Sequence, residues 1–342
     1  AMWSVLPQSS AARRLCKPYN THMNRTITNR LRHHPVSALA GTLAWLLLLV
    51  LLPPAPQTIF WITQLLLLAV LVFVPLALGL VGASRAAHVA SCWRLAVRVQ
   101  PFAAAAAVAA FLLPAGVLAG VLALAWLLFA GIIALLGVIR LFAQDGRDAA
   151  ELCIDVGMLL LPVGGFWLAM ARFGVRPLGF GDTIVLLTAV HFHYAGFALL
   201  LLAGLAGRYL RVGAPLRWRS FRLIAAGLIA GVPLVALGIT FSRVLEILAV
   251  LLLASSVLLL ALLTLVAVVP RLARRAARVL LAISALASIA TMLLAAGYAG
   301  GSIVGLALTI PQMVLAHGAV NAFGLVLCGL LAWTIELRDV TL

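Results

Sequence analysis

The residues with chemical capacity are polar side chains set in runs that are otherwise apolar. Residues 188–197 read Thr-Ala-Val-His-Phe-His-Tyr-Ala-Gly-Phe. His191 and His193 fall about 10 and 12 residues into an apolar run over 181–207, roughly 15–18 Å deep and near the middle of a bilayer. Two residues on a helix subtend about 200°, so the two rings face apart. His191 shares a face with Thr188 and Tyr194, whereas His193 turns toward the side of Asp182 and Phe197. One metal held by both would need a distorted helix. Further on, Pro311-Gln312 opens a second run in which Met313, His317, Asn321 and Gly324 recur at helical spacing as one stripe. A run over 243–268 carries Glu246 one turn from its start, and a run over 149–171 carries Glu151 and Asp155 on one face. A charge at the bilayer centre costs at least about 2.5–3.5 kcal/mol, so such residues face the interior of a bundle.

The chemistry these types support is acid–base. Imidazole takes and returns protons near neutrality. A carboxylic acid in apolar surroundings with no basic partner stays protonated and can donate. Asp155 has no Arg or Lys beside it within its run and is expected to be that acid, with His191 or His193 holding or recovering the proton. Glu246 is the alternative acid. His191 or His193, His317, Asn321 and Glu246 are expected to line one cavity in the outer half of the membrane, mostly apolar and open sideways to lipid. Trp167, Phe192, Tyr194, Phe197 and Phe323 would steady cationic intermediates, and with Gln312 they are the expected substrate-binding set. This predicts an integral membrane enzyme that cyclises or isomerises a lipophilic, isoprenoid-like substrate without a cofactor. A proton-coupled transporter is the second reading. A haem or metal at His191, His193 and His317 is the third; the absence of CxxCH excludes covalently attached haem. The plain structural alternatives are interhelical hydrogen bonds for the histidines, an N-cap for Asp182, an ion pair with Arg243 for Glu246 and an interfacial charge for Glu151.

The elements that would position these residues follow from hydropathy. The chain has 342 residues, 65% hydrophobic and 9% charged; a soluble domain carries about 25% charged residues. Apolar runs at 36–52, 58–82, 99–113, 117–139, 149–171, 181–207, 220–239, 243–268, 277–296 and 311–335 predict an all-α, multi-pass bundle of ten transmembrane helices. The third run is short, so its helix is expected to begin within the amphipathic stretch 86–99, and Pro114-Ala115-Gly116 marks a turn after it. With both termini cytoplasmic, 21 of the 24 Lys and Arg fall on the inner side and only Arg172, Arg176 and Arg243 outside, as expected for a bacterial cytoplasmic membrane protein. Residues 1–35 form a basic cytoplasmic tail, 36–335 one membrane domain and 336–342 a short cytoplasmic tail. Met23-Asn24-Arg25 reads as an ordinary start, which would make residues 1–22 an extension.

The net charge of +16 lies in short clusters between apolar runs. That distribution suits anionic lipid headgroups and argues against nucleic acid as a partner. Cys16, Cys92, Cys153 and Cys328 lack metal or redox spacing and read as packing residues. Ser284, Ser288 and Thr291 share one face of the ninth run, where small hydroxyl residues allow close helix packing.

The string His191-Phe-His-Tyr-Ala-Gly-Phe197, followed by His317-Gly-Ala-Val-Asn-Ala-Phe-Gly324, resembles the YndJ-like family of bacterial membrane proteins over roughly residues 140–335. The resemblance implies a membrane bundle with a shared site at these two motifs, in a family commonly labelled as transporters on hydrophobicity alone. It names no chemistry.

Overall fold

A computed structural model describes residues 33–81, 87–143, 148–213, 215–304 and 308–337. Among them there are helices and connections but no strands, as a bilayer demands of a chain that must satisfy its backbone internally. We number the helices α1 (His33–Leu51), α2 (Gln57–Val81), α3 (Ala87–Leu112), α4 (Val117–Ala143), α5 (Ala149–Phe173), α6 (Asp182–Arg211), α7 (Pro215–Phe241), α8 (Arg243–Arg271), α9 (Arg275–Val304) and α10 (Ile310–Glu336). Nine of these are long and apolar enough to span a membrane; α1 contributes a shorter apolar helix over Val36–Leu51. The expected ten runs are therefore ten helices. The third begins at Ala87 and is separate from the fourth, as the turn residues required.

Hydrogen bonds between helix ends fix their direction. At one face, Arg208 of α6 reaches the carbonyls of Leu80 and Val81 that end α2, and Arg211 pairs with Asp148 before α5. At the same face Tyr209 donates to the carbonyl of Arg271, and Glu336 accepts from the backbone of Ala273 and Arg274. Helix α1 runs antiparallel to α2: the Trp45 indole donates to the carbonyl of Gln64, and the Gln64 amide donates to the carbonyl of Leu48. The start of α1 and the end of α10 consequently lie on one face, the arginine-rich one. At the opposite face Arg172 donates to the carbonyls of Ala110 and Leu113 and sits 4.8 Å from the Phe111 ring. Residues 1–32 and 338–342, with the tails assigned to them, lie outside the described residues.

Helix α2 is the axis of the bundle. Its apolar window has mean hydropathy 2.7, yet 94% of it is buried inside the protein, so it faces other helices and not lipid. Its neighbours expose aliphatic side chains instead, such as Leu39, Leu43 and Leu47 of α1. Regular α-helix also gives way to π-helical turns at Ala69–Phe73 in α2, Phe192–Leu199 in α6, Thr264–Val268 in α8, and Val314–Gly318 and Val320–Leu327 in α10. A π turn adds a residue to the turn, widens it and re-aims the side chains; such turns occur often at functional sites. Both histidine-bearing motifs coincide with them.

Candidate functional site

The two motifs meet around Leu65 of α2. Tyr194 in the π turn of α6 donates its hydroxyl to the Leu65 carbonyl at 2.9 Å. From α10, Gly318 approaches so closely that a Cβ there would stand 2.9 Å from the Leu65 side chain. The π turns of α6 and α10 also pack on each other, and that of α6 packs on that of α2. Three distorted helices thus converge in mid-membrane.

His191 and His317 form the open part of the site. His191 is exposed although it sits nine residues inside α6, and His317 is half-buried seven residues inside α10. Each has one nitrogen tied to backbone: His191 Nδ1 to the Leu187 carbonyl at 2.7 Å, and His317 Nδ1 to the Thr291 carbonyl of α9 at 2.9 Å. A carbonyl can only accept, so Nδ1 carries the hydrogen in the neutral ring and the Nε2 lone pair is left available. Thr291 also donates to the Asn321 side chain at 3.0 Å, which places Asn321 beside His317 as its stripe implied. Phe323, 43% exposed, meets Trp45 of α1 edge-on at 6.0 Å and forms an apolar wall on the same helix face as Val320.

His193 points the other way. Its Nε2 accepts the Trp126 indole hydrogen at 2.9 Å and its Nδ1 bonds the Ala189 carbonyl at 2.8 Å. Both nitrogens are engaged and the side chain is buried among α4 and α5. The opposite facing of His191 and His193 agrees with the 200° expected. The π turn that begins at Phe192 does not bring them together, and both His193 nitrogens are taken up by contacts within the bundle. Helix α5 meets it through Gly164, where a Cβ would stand 2.6 Å from His193 Nδ1.

Neither carboxyl joins the histidines. Asp155 was expected to be an unpaired acid, but Arg140 in the last turn of α4 donates to it at 2.7 Å and to Glu151 at 2.7 Å. Arg208 binds Glu151 from α6, so two arginines and two acids from three helices close a partly buried network at the arginine-rich face. Helix α5 packs at this height on Leu200 to Gly204, nine or more residues beyond His191, about 14 Å along the helix. The sequence hid this pairing because Arg140 belongs to another run and reads there as a loop charge. Glu246 pairs with Arg243 at 2.6 Å, and Arg243 also holds the carbonyl of Ala299. Ala299 is eight residues, about 12 Å, from Thr291, so Glu246 stands at the membrane edge above the site. Asp182 likewise forms a two-pronged pair with Arg176, at 2.8 and 2.9 Å; Gly181, not Asp182, occupies the N-cap position of α6. That hydrogen bond raises the Arg176 guanidinium above its ordinary pKa.

The aromatic set divides in the same manner. Tyr194 meets Phe73 edge-on at 5.4 Å within the three-helix junction, and Phe192 and Phe197 are buried beside it. Trp167 lies at a tilt to Phe180 toward the opposite face, and Gln312 closes a capping box with Thr309 at the start of α10, so neither stands at the three-helix junction. Thr291 and Trp126 are the functional neighbours that sequence reasoning did not assign. Thr291 carried a usable signal, since it shares a face with Ser284 and Ser288. Among the described residues no group of three or more His, Cys, Asp or Glu is arranged to hold a metal ion.

A family model described as YndJ-like protein matches residues 64–325, a span that starts in α2 and so exceeds the two motifs. An uncharacterized membrane protein YndJ of Bacillus subtilis (strain 168) is 32% identical over 219 residues. That alignment covers 64% of this chain and 39% of the relative, so the chain spans well under half of the relative's length. No solved structure matches the chain. With both motifs in place at one helix junction and most of its length matched, the chain belongs to the YndJ-like family of membrane proteins.

Proposed function

We propose that this chain is a membrane-embedded isomerase in which His191 and His317 move a proton on a lipophilic substrate that enters sideways from the bilayer. The observation that carries the reading is the two imidazoles, each with Nδ1 fixed to a carbonyl and Nε2 free, on two helices whose π turns pack against each other. A neutral imidazole can remove an activated C–H proton, and the resulting imidazolium can return it at another carbon. Cyclisation begun by protonating an isolated alkene needs a far stronger acid than imidazolium, whose ordinary pKa is about 6.5. The carboxyls that might have served stand about 12–14 Å away along their helices. Isomerisation is therefore favoured over cyclisation. Phe323 and Trp45, which meet edge-on, offer an apolar surface suited to an isoprenoid-like chain. The arginine-rich face would be cytoplasmic in a bacterial cytoplasmic membrane.

The test uses membranes carrying the protein in heavy water. Proton removal and return should place deuterium in a lipid-soluble metabolite, read as a one-unit mass gain. The gain should fall at least tenfold in both His191→Gln and His317→Gln. The same deuterium pattern in wild type and both variants would end the proposal. A second reading uses the same atoms: an imidazole whose Nδ1 is held by a carbonyl and whose Nε2 is free is poised to ligate haem iron or a metal. An absorption band near the haem Soret region in the purified protein, lost in His317→Gln, would select it.

A further inference from the structure

A small pocket lies between α6, α8, α9 and α10, on the arginine-rich side of the histidines. It is about 30 Å³ in volume and is bordered by Leu199, Thr264, Ser284, Ser288, Leu325 and Trp333, all buried. Its position follows from the π turns. Leu199, Thr264 and Leu325 lie in those of α6, α8 and α10, where a widened turn prevents close packing. The space is large enough for one or two water molecules, which need two to four polar partners to stay.

Such partners are present. Trp333 is 2% exposed, and its indole N–H has no hydrogen-bond acceptor among the described residues. Ser284 donates to the Leu325 carbonyl and Ser288 to the Ala285 carbonyl, so both hydroxyl oxygens keep lone pairs free to accept. The hydroxyl seam continues upward. Thr291, one turn from Ser288, hydrogen-bonds the Ser288 carbonyl and Asn321, and its own carbonyl holds His317. Downward, the Trp333 ring lies 6.0 Å from that of Tyr209, whose hydroxyl bonds the Arg271 carbonyl at the arginine-rich face.

We propose that this space is a resident water site, in which water joins the Trp333 indole of α10 to the hydroxyl seam of α9. The water accepts from Trp333 Nε1–H and donates to the hydroxyl oxygens of Ser284 and Ser288. The water site stands without the isomerase reading.

The experiment follows the indole hydrogens of the ¹⁵N-tryptophan-labelled full chain in lipid nanodiscs after transfer to heavy water, with Trp333→Phe assigning the signal. A hydrated N–H exchanges orders of magnitude faster than one released only by unfolding. Fast exchange at Trp333, slowed at least tenfold when Ala285→Val fills the space, is the expected result. Exchange as slow as that of the buried Trp126 indole would overturn the water site outright, and the wild-type measurement suffices if the variant does not fold.

Discussion

The indole N–H of Trp126 on α4 donates to Nε2 of His193 on α6 at 2.9 Å, while His193 Nδ1 bonds the Ala189 carbonyl. This bond occupies the last free nitrogen of the more deeply buried histidine of the first motif. Trp126→Phe keeps the apolar bulk but leaves a buried acceptor unpaired, which costs about 1–3 kcal/mol. A lowered melting temperature in detergent should report it. Deuterium transfer to substrate should persist in His193→Gln when corrected for the amount of folded protein. Loss of transfer as complete as in His317→Gln would return His193 to the chemistry.

The Arg140–Asp155 contact gives the opposite expectation. Removing one partner of a buried ion pair costs about 3–5 kcal/mol because the other is stranded. Arg140→Met removes the guanidinium that Asp155 and Glu151 share, and should reduce folded yield severely. Asp155→Asn should also lower thermal stability, since a neutral amide cannot pair with the guanidinium. The double variant Arg140→Met/Asp155→Leu should be more stable than Arg140→Met alone. Equal stability of Asp155→Asn and wild type, by thermal unfolding, would show that the pair is not a holding contact.

Two glycines should differ in tolerance for a stated geometric reason. Gly164→Ala would put its Cβ 2.6 Å from Nδ1 of the His193 ring, which a hydrogen bond at each nitrogen locks in place, so overpacking of about 1–3 kcal/mol is expected. Gly318→Ala would meet only the end of the Leu65 side chain at 2.9 Å, which can rotate away. Thermal shift assays on the two variants should show a clear loss for the first and a small one for the second.

Topology gives a prediction that involves no site. Cysteines introduced singly at Arg94, Arg219 and Arg278, in a background with the native cysteines replaced, should react with a membrane-impermeant maleimide from one side only. A cysteine at Arg176 should react from the other. Labelling of Arg176→Cys from the same side as Arg278→Cys would break the ten-helix arrangement.

The sequence by itself determined the helices, their order and their direction. Span length and hydropathy are local properties, and the arginines cluster at every second connection because lipid and headgroup act on each segment separately. It also determined that His191 and His193 face apart and that His317 and Asn321 share a stripe, since those relations follow from the helical repeat. Tertiary structure decided which polar groups meet. Asp155 looked unpaired because its partner, Arg140, lies on another helix whose rotation and depth are set by packing. Glu246 matched the histidines in depth measured along its own run, yet at the membrane edge it has Arg243 for a partner. The π turns at Phe192–Leu199 and Val320–Leu327 lay beyond the sequence as well. An added residue in a turn costs backbone geometry locally, and only contacts with neighbouring helices, such as Tyr194 with Leu65, offset that cost.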